Sequence, residues 1–454
     1  MNLRKVSKLL AFALVTTLSI SLLAGCGKTE NEKPASNDEK ATTEDAEISG
    51  TINYSSMWNE GEPQAEALKE MAVAFEKETG VKVEFEFAGR DVLTKIRSRL
   101  LMNDAPDLVD QDLSELNGAL LKDGEEMVMP INDLFESKGP EDQETLMKVF
   151  NEDIVKLYEK GGNLYYLPYS YITSGFFYNK KFFAEKGLEA PKTWDEFITV
   201  NTKIKEMGIA PLALDGNISF YNAYYYYWAL ERVLGKGALS KAASDKTGEA
   251  WDDEGYLKAA ELVYELSKGG KNLFEDGYAG SNYPAAQGDW ALGKAGSILC
   301  GTWIPVETKD IAGEEFEFGF YPFPQVEGGT GDTTDVEAYL IGCAIPKDAP
   351  NASAAKAFLK FMVSKENAQM YVEKTMNMSA RADAAYPEIL GDVKPVVESA
   401  TTFHLSYDGA MAAYSEWFAN VFYPVDNDLV FGTITPEQFV KQMKEKSIEY
   451  WKNK

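Results

Sequence analysis

An alternation of strand and helix patterns over residues 48–110 constrains the fold of this chain more than any other feature. Apolar and polar residues alternate at period two in the predicted strands, whereas the predicted helices repeat their apolar residues every three or four positions. This βαβαβ order predicts a parallel α/β sheet with right-handed crossovers. The predicted segments are strand 48–54, helix 62–79, strand 81–87, helix 91–102 and strand 106–110.

Ligands of parallel sheets bind beyond the carboxyl ends of the strands. Trp58 lies in the loop after the first predicted strand, and Asp110, Gln111 and Asp112 lie at the end of the third strand and in the loop after it. We therefore expect these four side chains at one edge of the sheet, near a binding site.

Composition narrows the possible functions. The 454 residues suggest two domains or one large two-lobed domain. Asp and Glu total 72 against 45 Lys and Arg, a net charge of −27, which disfavours nucleic acid as a partner. With one His (His404) and three Cys, the chain offers no His-rich metal site and no disulfide-rich scaffold, and we expect no metal and no cofactor.

The N-terminus has the pattern of a secretory signal peptide over residues 1–25, with Arg4, Lys5 and Lys8 before an apolar run. The run ends in Leu23-Ala24-Gly25-Cys26, which resembles a bacterial lipobox and implies cleavage before Cys26 and lipid on its thiol. Residues 26–47 contain no aromatic or large aliphatic residue, so we expect a disordered tether. Acyl chains on Cys26 would anchor the protein to a membrane.

Aromatic residues concentrate in several later segments. Residues 164–178 form an extended apolar stretch, and Thr193 with Glu196 forms a capping-box signal that opens a helix. Residues 220–230 predict a helix with aromatics on every face, some of which should line a cleft. We expect a strand at 296–303 and a helix at 410–422. Cys300 and Cys343, both on predicted strands, are interpreted first as buried free thiols, with a disulfide as the alternative.

The order and spacing of six short motifs resemble the family 1 extracellular solute-binding proteins, the maltose-binding-protein-like receptors of bacterial ABC sugar importers. The resemblance extends over nearly all of the mature chain, although each motif alone is weak. The motifs are residues 75–83, residues 104–109, Leu167-Pro168-Tyr169 with Phe177-Tyr178-Asn179-Lys180, residues 191–197, Gly301-Thr302-Trp303, and Ala344-Ile345-Pro346-Lys347.

The resemblance implies a type II periplasmic-binding-protein-like fold, in which two hinged α/β lobes close on a ligand in the cleft between them. Mapped onto this chain, lobe one covers residues 48–168 and 337–390, and lobe two covers residues 171–335 and 395–454. The aromatic stretch around residues 164–178 then carries a crossing between the lobes.

Sugar receptors of this family stack aromatic rings on pyranose faces and bind the hydroxyls with acids and amides, a pairing that physical chemistry favours. The resemblance assigns the Trp of the Gly-x-Trp strand to Trp303, a cleft-facing helix aromatic to Trp417, and a polar loop to Asp110, Gln111 and Asp112. The remaining candidate ligand-binding residues are Trp58, Tyr171, Tyr221, Tyr224 and Glu337.

The predicted function is therefore a cell-surface lipoprotein of an ABC importer, monomeric and without enzymatic activity. It would capture a neutral carbohydrate, an oligosaccharide by the number of aromatics, and deliver it to the permease subunits at the extracellular face of the cytoplasmic membrane of a Gram-positive cell. One alternative is a surface glycoside hydrolase that uses Asp335 and Glu337. The other is a lipoprotein sensor or adhesin with the same fold.

Overall fold

Two mixed β-sheets with helices on their faces organise the protein. The computed structural model describes residues 48–122 and 125–454. The predicted signal peptide, the lipidation site Cys26 and the tether lie outside the described residues. Both sheets belong to a single compact unit.

The larger sheet has seven strands, in the order β12-β6-β11-β3-β1-β2 with β13 paired to β11, and the smaller sheet has the order β10-β7-β9-β8. Strands β4 and β5 form a short hairpin. The strands are β1 Thr51–Ser56, β2 Lys82–Phe87, β3 Leu108–Asp112, β4 Leu121–Lys122, β5 Glu125–Glu126, β6 Tyr166–Ile172, β7 Ser174–Asn179, β8 Ala210–Ala213, β9 Ala295–Gly301, β10 Phe318–Tyr321, β11 Asp335–Ala344, β12 Met378–Ser379 and β13 Thr402–Leu405.

The helices cover the faces and ends of these sheets. The α-helices are α1 Pro63–Thr79, α2 Val92–Leu101, α3 Leu113–Leu120, α4 Asn132–Glu136, α5 Glu152–Lys156, α6 Lys180–Lys186, α7 Trp194–Glu206, α8 Ser219–Leu234, α9 Ala238–Ser244, α10 Glu254–Leu266, α11 Ala285–Ala291, α12 Ile304–Ala312, α13 Ala352–Met362, α14 Lys365–Thr375, α15 Lys394–Glu398, α16 Ala410–Ala413, α17 Ser415–Trp417, α18 Tyr423–Val430 and α19 Pro436–Lys452. Short 3₁₀ helices cover Leu146–Val149, Glu249–Asp252, Tyr278–Gly280, Glu388–Leu390 and Ser406–Gly409, and Phe418–Phe422 forms a π-helical turn.

The predicted βαβαβ unit is present, with β1 parallel to both β2 and β3. Helix α1 begins with Pro63 in its first turn and ends at Gly80, whose φ of 76° is the left-handed conformation that glycine adopts without strain. Its apolar face packs into a core that also includes the buried side chains of α13.

Strand β3 begins and ends two residues later than the sequence predicts. Asp110, Gln111 and Asp112 lie inside the strand, and the expected loop at Gln111 and Asp112 is wrong. The reason is nonlocal, because β11 runs antiparallel beside β3 and pairs Ile341 with Asp112. This ladder extends β3 two residues past the C-terminal end that its own hydrophobic pattern indicates.

Three segments connect the sheets. Strand β6 stays in the larger sheet through Ile172 and β7 enters the smaller sheet at Ser174, so Thr173 is the first passage. The second passage precedes Asp335, the first residue of β11, and the third follows Leu405, the last residue of β13. We propose that the lobe boundaries lie at these passages, a few residues from the positions inferred from sequence for the first two and about ten residues later for the third.

The smaller sheet packs against a second core that is rich in aromatic rings. Helix α8 contributes five consecutive aromatic side chains, Tyr224 to Trp228, each at most 2% exposed. Helix α7 has the predicted capping box between Thr193 and Glu196. The single helix predicted for residues 410–422 is wrong, because Tyr414 has φ −130° and ψ 44° and interrupts it between α16 and α17.

Cys300 and Cys343 are both buried and unpaired, as the first interpretation held. A search of the described helices found none of the length and apolarity required to cross a membrane.

Candidate functional site

A cleft of about 990 Å³ lies between the two sheets. Its first wall comes from the loops after β1 and β2 together with the start of α1, and its second wall comes from α8, α12 and the segment before α11. Strands β6 and β11 supply the floor between them. The lining residues are Met57, Trp58, Asn59, Glu62, Pro63, Gln64, Arg90, Ile172, Ile218, Phe220, Tyr221, Tyr283, Trp303, Val306, Glu307, Tyr339, Ile341 and Asn377.

Trp58 is the fixed aromatic of the first wall. Its Nε1 donates to the Tyr169 hydroxyl at 2.9 Å, and the side chain is 5% exposed. The Arg90 guanidinium carbon lies 4.6 Å from the centre of the Trp58 ring system, a cation–π distance. Trp58 therefore presents only part of its surface to the cleft. Its orientation is set by the hydrogen bond to Tyr169 and by the contact with Arg90.

Asp110 lies behind this wall and does not line the cleft. Its carboxylate accepts from the backbone N–H of Met57 at 2.7 Å and from the hydroxyls of Tyr169, Tyr54 and Ser56 at 2.7, 3.0 and 3.2 Å. Burial raises the pKa of Asp110 above its ordinary value, and these donors oppose that rise. Asp110 thus fixes the Met57 loop directly and Trp58 through Tyr169, so it positions the site and does not touch a ligand there.

Gln111 also acts from behind the wall. Its Nε2 donates to the Arg90 carbonyl at 3.0 Å, which fixes the loop after β2. The Arg90 side chain donates to the Met57 carbonyl at 2.8 Å and to Glu62 at 3.0 Å. The cation of this wall is therefore already paired with a carboxylate.

Asp112 is buried at the start of α3, away from the cleft lining. It accepts from the backbone N–H groups of Ser114 and Glu115 at 2.5 and 2.9 Å, an N-cap arrangement. Burial raises the pKa of Asp112 to about 7, with these helix N–H groups acting in the opposite direction. The interpretation of Asp112 as a ligand contact does not agree with this placement.

Trp303 and Glu307 form an accessible part of the second wall. They lie four residues apart at the start of α12, so both project from one side of the helix. A glycine is required two residues before Trp303, because a Cβ on Gly301 would lie 2.0 Å from the Trp303 ring. Although the Glu307 side chain is exposed in the open cleft, desolvation by the protein around it raises its pKa, while hydrogen bonds from Gln287 and Tyr283 act in the opposite direction.

Tyr221 and Tyr224 separate on the same helix. Tyr221 is half-buried and lines the cleft beside Phe220. Tyr224 is 1% exposed and stacks on Tyr407 with ring centres 5.4 Å apart, so it is a core residue. Helix α8 therefore sends its first turn to the cleft and the rest of its aromatics to the core.

Tyr171 and Glu337 lie at the passages between the sheets, outside the cleft lining. The Tyr171 hydroxyl donates to the Glu337 carbonyl at 3.0 Å. The Glu337 side chain is fully buried and accepts short hydrogen bonds from the hydroxyls of Ser174 and Ser406. Burial raises the pKa of Glu337, and these two hydroxyls lower it in part. Both residues connect segments of the hinge.

Trp417 is the clearest correction to the predicted site. It is fully buried, its Nε1 donates to Ser447 Oγ at 3.0 Å, and its ring stacks on Phe422 with centres 5.7 Å apart. The irregular helix around it turns the indole into the second core. Trp417 is therefore a packing residue of the second core and not a ligand contact.

Comparison with known proteins agrees with this architecture. The family described as bacterial extracellular solute-binding protein matches residues 60–369, more than half of the chain. The chain belongs to this family. Its two sheets and hinged cleft are the type II periplasmic-binding fold.

Several relatives of this solute-binding protein are named as sugar-binding proteins. It is 25% identical over 366 residues to the multiple sugar-binding protein of Streptococcus mutans, covering 78% of this chain and 80% of the relative. It is 25% identical over 432 residues to the melibiose/raffinose/stachyose-binding protein MelE of Bacillus subtilis, covering 94% and 91%. A sugar transporter structure from Bacillus licheniformis in complex with stachyose matches with a TM-score of 0.65 and 22% identity over 87% of this chain and 99% of that chain.

The family consists of binding proteins, which confirms that the solute-binding protein is a receptor and not an enzyme. The carboxylates of the hydrolase alternative, Asp335 and Glu337, are buried at the hinge. Asp335 contacts Thr402 and His404, and Glu337 contacts the two serines, so neither carboxylate lines the cleft.

Three residues that line the cleft were not among the predicted site residues, although the sequence contains a signal for each. Arg90 follows β2, and the rule that ligands bind beyond strand ends applies to β2 as it does to β1. Glu307 lies four residues after Trp303, which is one helical turn. For Tyr283 the signal is an aromatic residue two positions before a helix, α11.

Proposed function

We propose that this protein is the carbohydrate receptor of an ABC importer, and that it binds a neutral oligosaccharide in the cleft between its lobes. The observation that carries the proposal is the composition of the cleft. Accessible aromatic rings, with Trp303 and Tyr283 foremost, alternate there with carboxylate and amide groups. Pyranose rings present C–H faces that suit aromatic planes and hydroxyls that need polar partners.

The charges in the cleft favour a neutral ligand. Arg90 is the one Arg or Lys among the lining residues, and Glu62 pairs with it at 3.0 Å. Glu307 adds a further carboxylate on the opposite wall. An anionic ligand would meet this acidic excess without an unpaired cation to bind it.

The size of the cleft and its relatives support an oligosaccharide. A volume of about 990 Å³ is at the upper end of the range for small-molecule sites. The relatives include proteins named for melibiose, raffinose and stachyose. Aromatic residues on both walls and Tyr339 on the floor provide several separate stacking surfaces.

Isothermal titration of the purified protein tests the proposal. The panel contains raffinose, stachyose, maltotriose, glucose, glucuronate and a mixture of amino acids. We expect at least one neutral oligosaccharide to bind more tightly than glucose and glucuronate. Binding of amino acids, with no binding of any carbohydrate in the panel, would refute the carbohydrate assignment.

A pair of variants on α12 locates the binding site. Trp303→Ala is expected to weaken oligosaccharide binding by tenfold or more, about 1.4 kcal/mol or more, because a stacking surface is removed. Ile311→Ala is the matched control, since Ile311 is exposed on the same helix and does not line the cleft. Equal affinity of both variants and the unmodified protein would place the ligand elsewhere.

Membrane anchoring through Cys26 and delivery to permease subunits complete the proposal. They rest on the lipobox resemblance and on the family, whose members are extracellular. Expression of the full chain with Cys26→Ser is expected to move the protein from the membrane fraction to the medium. Retention of that variant on the membrane would contradict lipid anchoring while leaving the cleft assignment unaffected.

A further inference from the structure

A buried cluster of Glu231, Asp335 and His404 lies at the hinge, apart from the ligand cleft. One candidate ligand atom from each residue lies within 4.8 Å of the other two. The three side chains are 2%, 7% and 3% exposed by residue. Glu231 comes from α8, Asp335 from β11 and His404 from β13, so the cluster joins the second core to both returning strands of the hinge.

The pairing of β11 with β13 brings two of these residues together. In this parallel ladder Asp335 lies opposite Thr402, and Glu337 lies opposite His404. Asp335 Oδ1 is 3.2 Å from His404 Nδ1. Trp228 packs edge-on against the imidazole with ring centres 5.4 Å apart, which shields the cluster from solvent on that side.

Buried polar atoms in this cluster lack hydrogen-bond partners. In the described part of the chain, both carboxylate oxygens of Glu231 and both ring nitrogens of His404 make no hydrogen bond of acceptable geometry, although His404 Nδ1 lies 3.2 Å from Asp335 Oδ1. A buried carboxylate without a partner costs free energy, and native structures rarely keep one without a reason. The four unpartnered atoms belong to side chains that converge on a single point.

Negative groups outnumber positive groups around that point. Glu337 and Asp408 also act electrostatically on His404. The neighbouring cations are Arg232, whose guanidinium is occupied by the carbonyls of Phe323 and Asp332, and Lys236, which is half exposed and 3.8 Å from Asp335. The net charge of the groups around the cluster is therefore negative, and a bound cation would compensate it.

We propose that Glu231, Asp335 and His404 bind a divalent transition-metal ion, with Zn²⁺ as the best match, and that this ion fastens the hinge. Two carboxylates and a neutral imidazole compensate a charge of +2, and they are ligands that zinc accepts. Neighbouring ligands of a tetrahedral zinc ion lie about 3.3 Å apart, which the separation of Asp335 and His404 already matches.

Surrounding groups support this assignment. The Thr402 hydroxyl donates to Asp335 Oδ1 at 2.6 Å and so orients that carboxylate from behind. A carboxylate oxygen of Glu231 lies within 4.8 Å of the Asp335 and His404 ligand atoms, so Glu231 offers the third ligand. Sequence patterns alone do not reveal the site, because a single histidine argues against metal binding and the two acids are distant along the chain.

Metal binding is tested on the purified protein after treatment with EDTA. Zn²⁺ at about 100 times its Kd is expected to raise the Tm by about 3 °C or more, with one ion bound per chain by elemental analysis. Co²⁺ is expected to give visible absorption bands typical of tetrahedral coordination. Absence of both the Tm shift and the bound ion would overturn the proposal.

Variants assign the ion to these residues. His404→Gln and Glu231→Gln are expected to abolish the zinc-dependent Tm shift and the cobalt bands. Glu275→Gln is the matched control, because Glu275 is a half-buried acid of the same lobe outside the cluster. An undiminished shift in His404→Gln would assign the ion to another site and overturn the proposal.

The cluster has one competing occupant, a proton on His404 between the two acids. That arrangement would make the Tm depend on pH while Zn²⁺ and Co²⁺ leave it unchanged, and this result would also overturn the proposal. If both variants fail to fold, the stoichiometry and the cobalt spectrum of the unmodified protein still decide between metal and proton.

Discussion

The two walls of the cleft use carboxylates in opposite ways. Behind the first wall, Asp110 is fully buried and holds the Met57 loop and, through Tyr169, the indole of Trp58. On the second wall, Glu307 faces solvent beside Trp303. The first wall therefore has its geometry fixed before ligand arrives, whereas the second wall presents accessible groups to the ligand. The first wall thus depends on a buried carboxylate for its shape, although it also presents the Arg90–Glu62 pair to the cleft.

Asp110→Ala is expected to break the first wall with the largest effect. The change leaves four donors without an acceptor in the core, so the free energy of unfolding should fall by about 4 kcal/mol. Urea denaturation followed by circular dichroism measures it. Asp310→Ala, an exposed acid of α12, serves as the control and should stay within about 0.5 kcal/mol of the unmodified protein. A comparable loss of stability in both variants would show that the hydrogen bonds to Asp110 do not stabilise the first wall specifically.

The buried acids of the first lobe and the solvent-facing acid of the second wall are expected to contribute differently to the pH dependence of the free energy of unfolding. Since the folded-state pKa of Asp112 is raised to about 7, its protonated form favours folding. This contribution is complete below the unfolded pKa and is lost as pH rises through about 7. The loss between pH 5 and 7 should reach up to about 3 kcal/mol.

Asp112→Asn keeps a helix cap without a titrating group, so it should lose less stability over that interval than the unmodified protein. The difference between the two denaturation series isolates Asp112 from other titrating groups. Parallel pH profiles of the two proteins would show that Asp112 ionises without cost.

Tyr169→Phe sharpens the account of how Trp58 is positioned. The change removes the acceptor of the Trp58 N–H and one donor to Asp110, and should cost about 1.5 kcal/mol of stability. Tyr166→Phe is a matched control on the same strand, because the Tyr166 hydroxyl is buried without a hydrogen-bond partner in the described structure. We expect Tyr166→Phe to be neutral or slightly stabilising, and the reverse order of the two variants would contradict the proposed relay.

Glu62→Gln is expected to have the smallest effect on stability, below about 1 kcal/mol, because Arg90 is half exposed and its ion pair is screened by solvent. For this variant the informative measurement is the binding assay. Loss of Glu62 leaves Arg90 without its carboxylate partner, so glucuronate should bind measurably better than to the unmodified protein. Unchanged discrimination against glucuronate would show that the Arg90–Glu62 pair does not set the charge preference of the cleft.

Local features of this fold were predictable, and long-range ones were not. The capping box of α7, the glycine that ends α1 and the parallel pairing of β1 to β3 follow from short sequence patterns. The extension of β3 depends on β11, more than 220 residues away, and no local pattern reports that pairing.

The fate of the aromatics shows the same limit within the site. Trp303 and Trp417 are both tryptophans beside short helices, yet one lines the cleft and the other is fully buried. The difference arises from the turn that Tyr414 introduces and from the packing of Phe422 and Ser447, which only the folded chain brings together. Arg90 and Glu307, in contrast, were within reach of rules already applied to their neighbours.

The position of β11 between β3 and β6 has a consequence for the order in which the molecule assembles. Until β11 joins, the described pairings leave β6 and β12 unconnected to β1, β2 and β3. Every residue of the smaller sheet precedes β11 in the chain. The larger sheet, although it begins first, therefore closes last, after the smaller sheet has been synthesised. Such late, distant pairing slows folding.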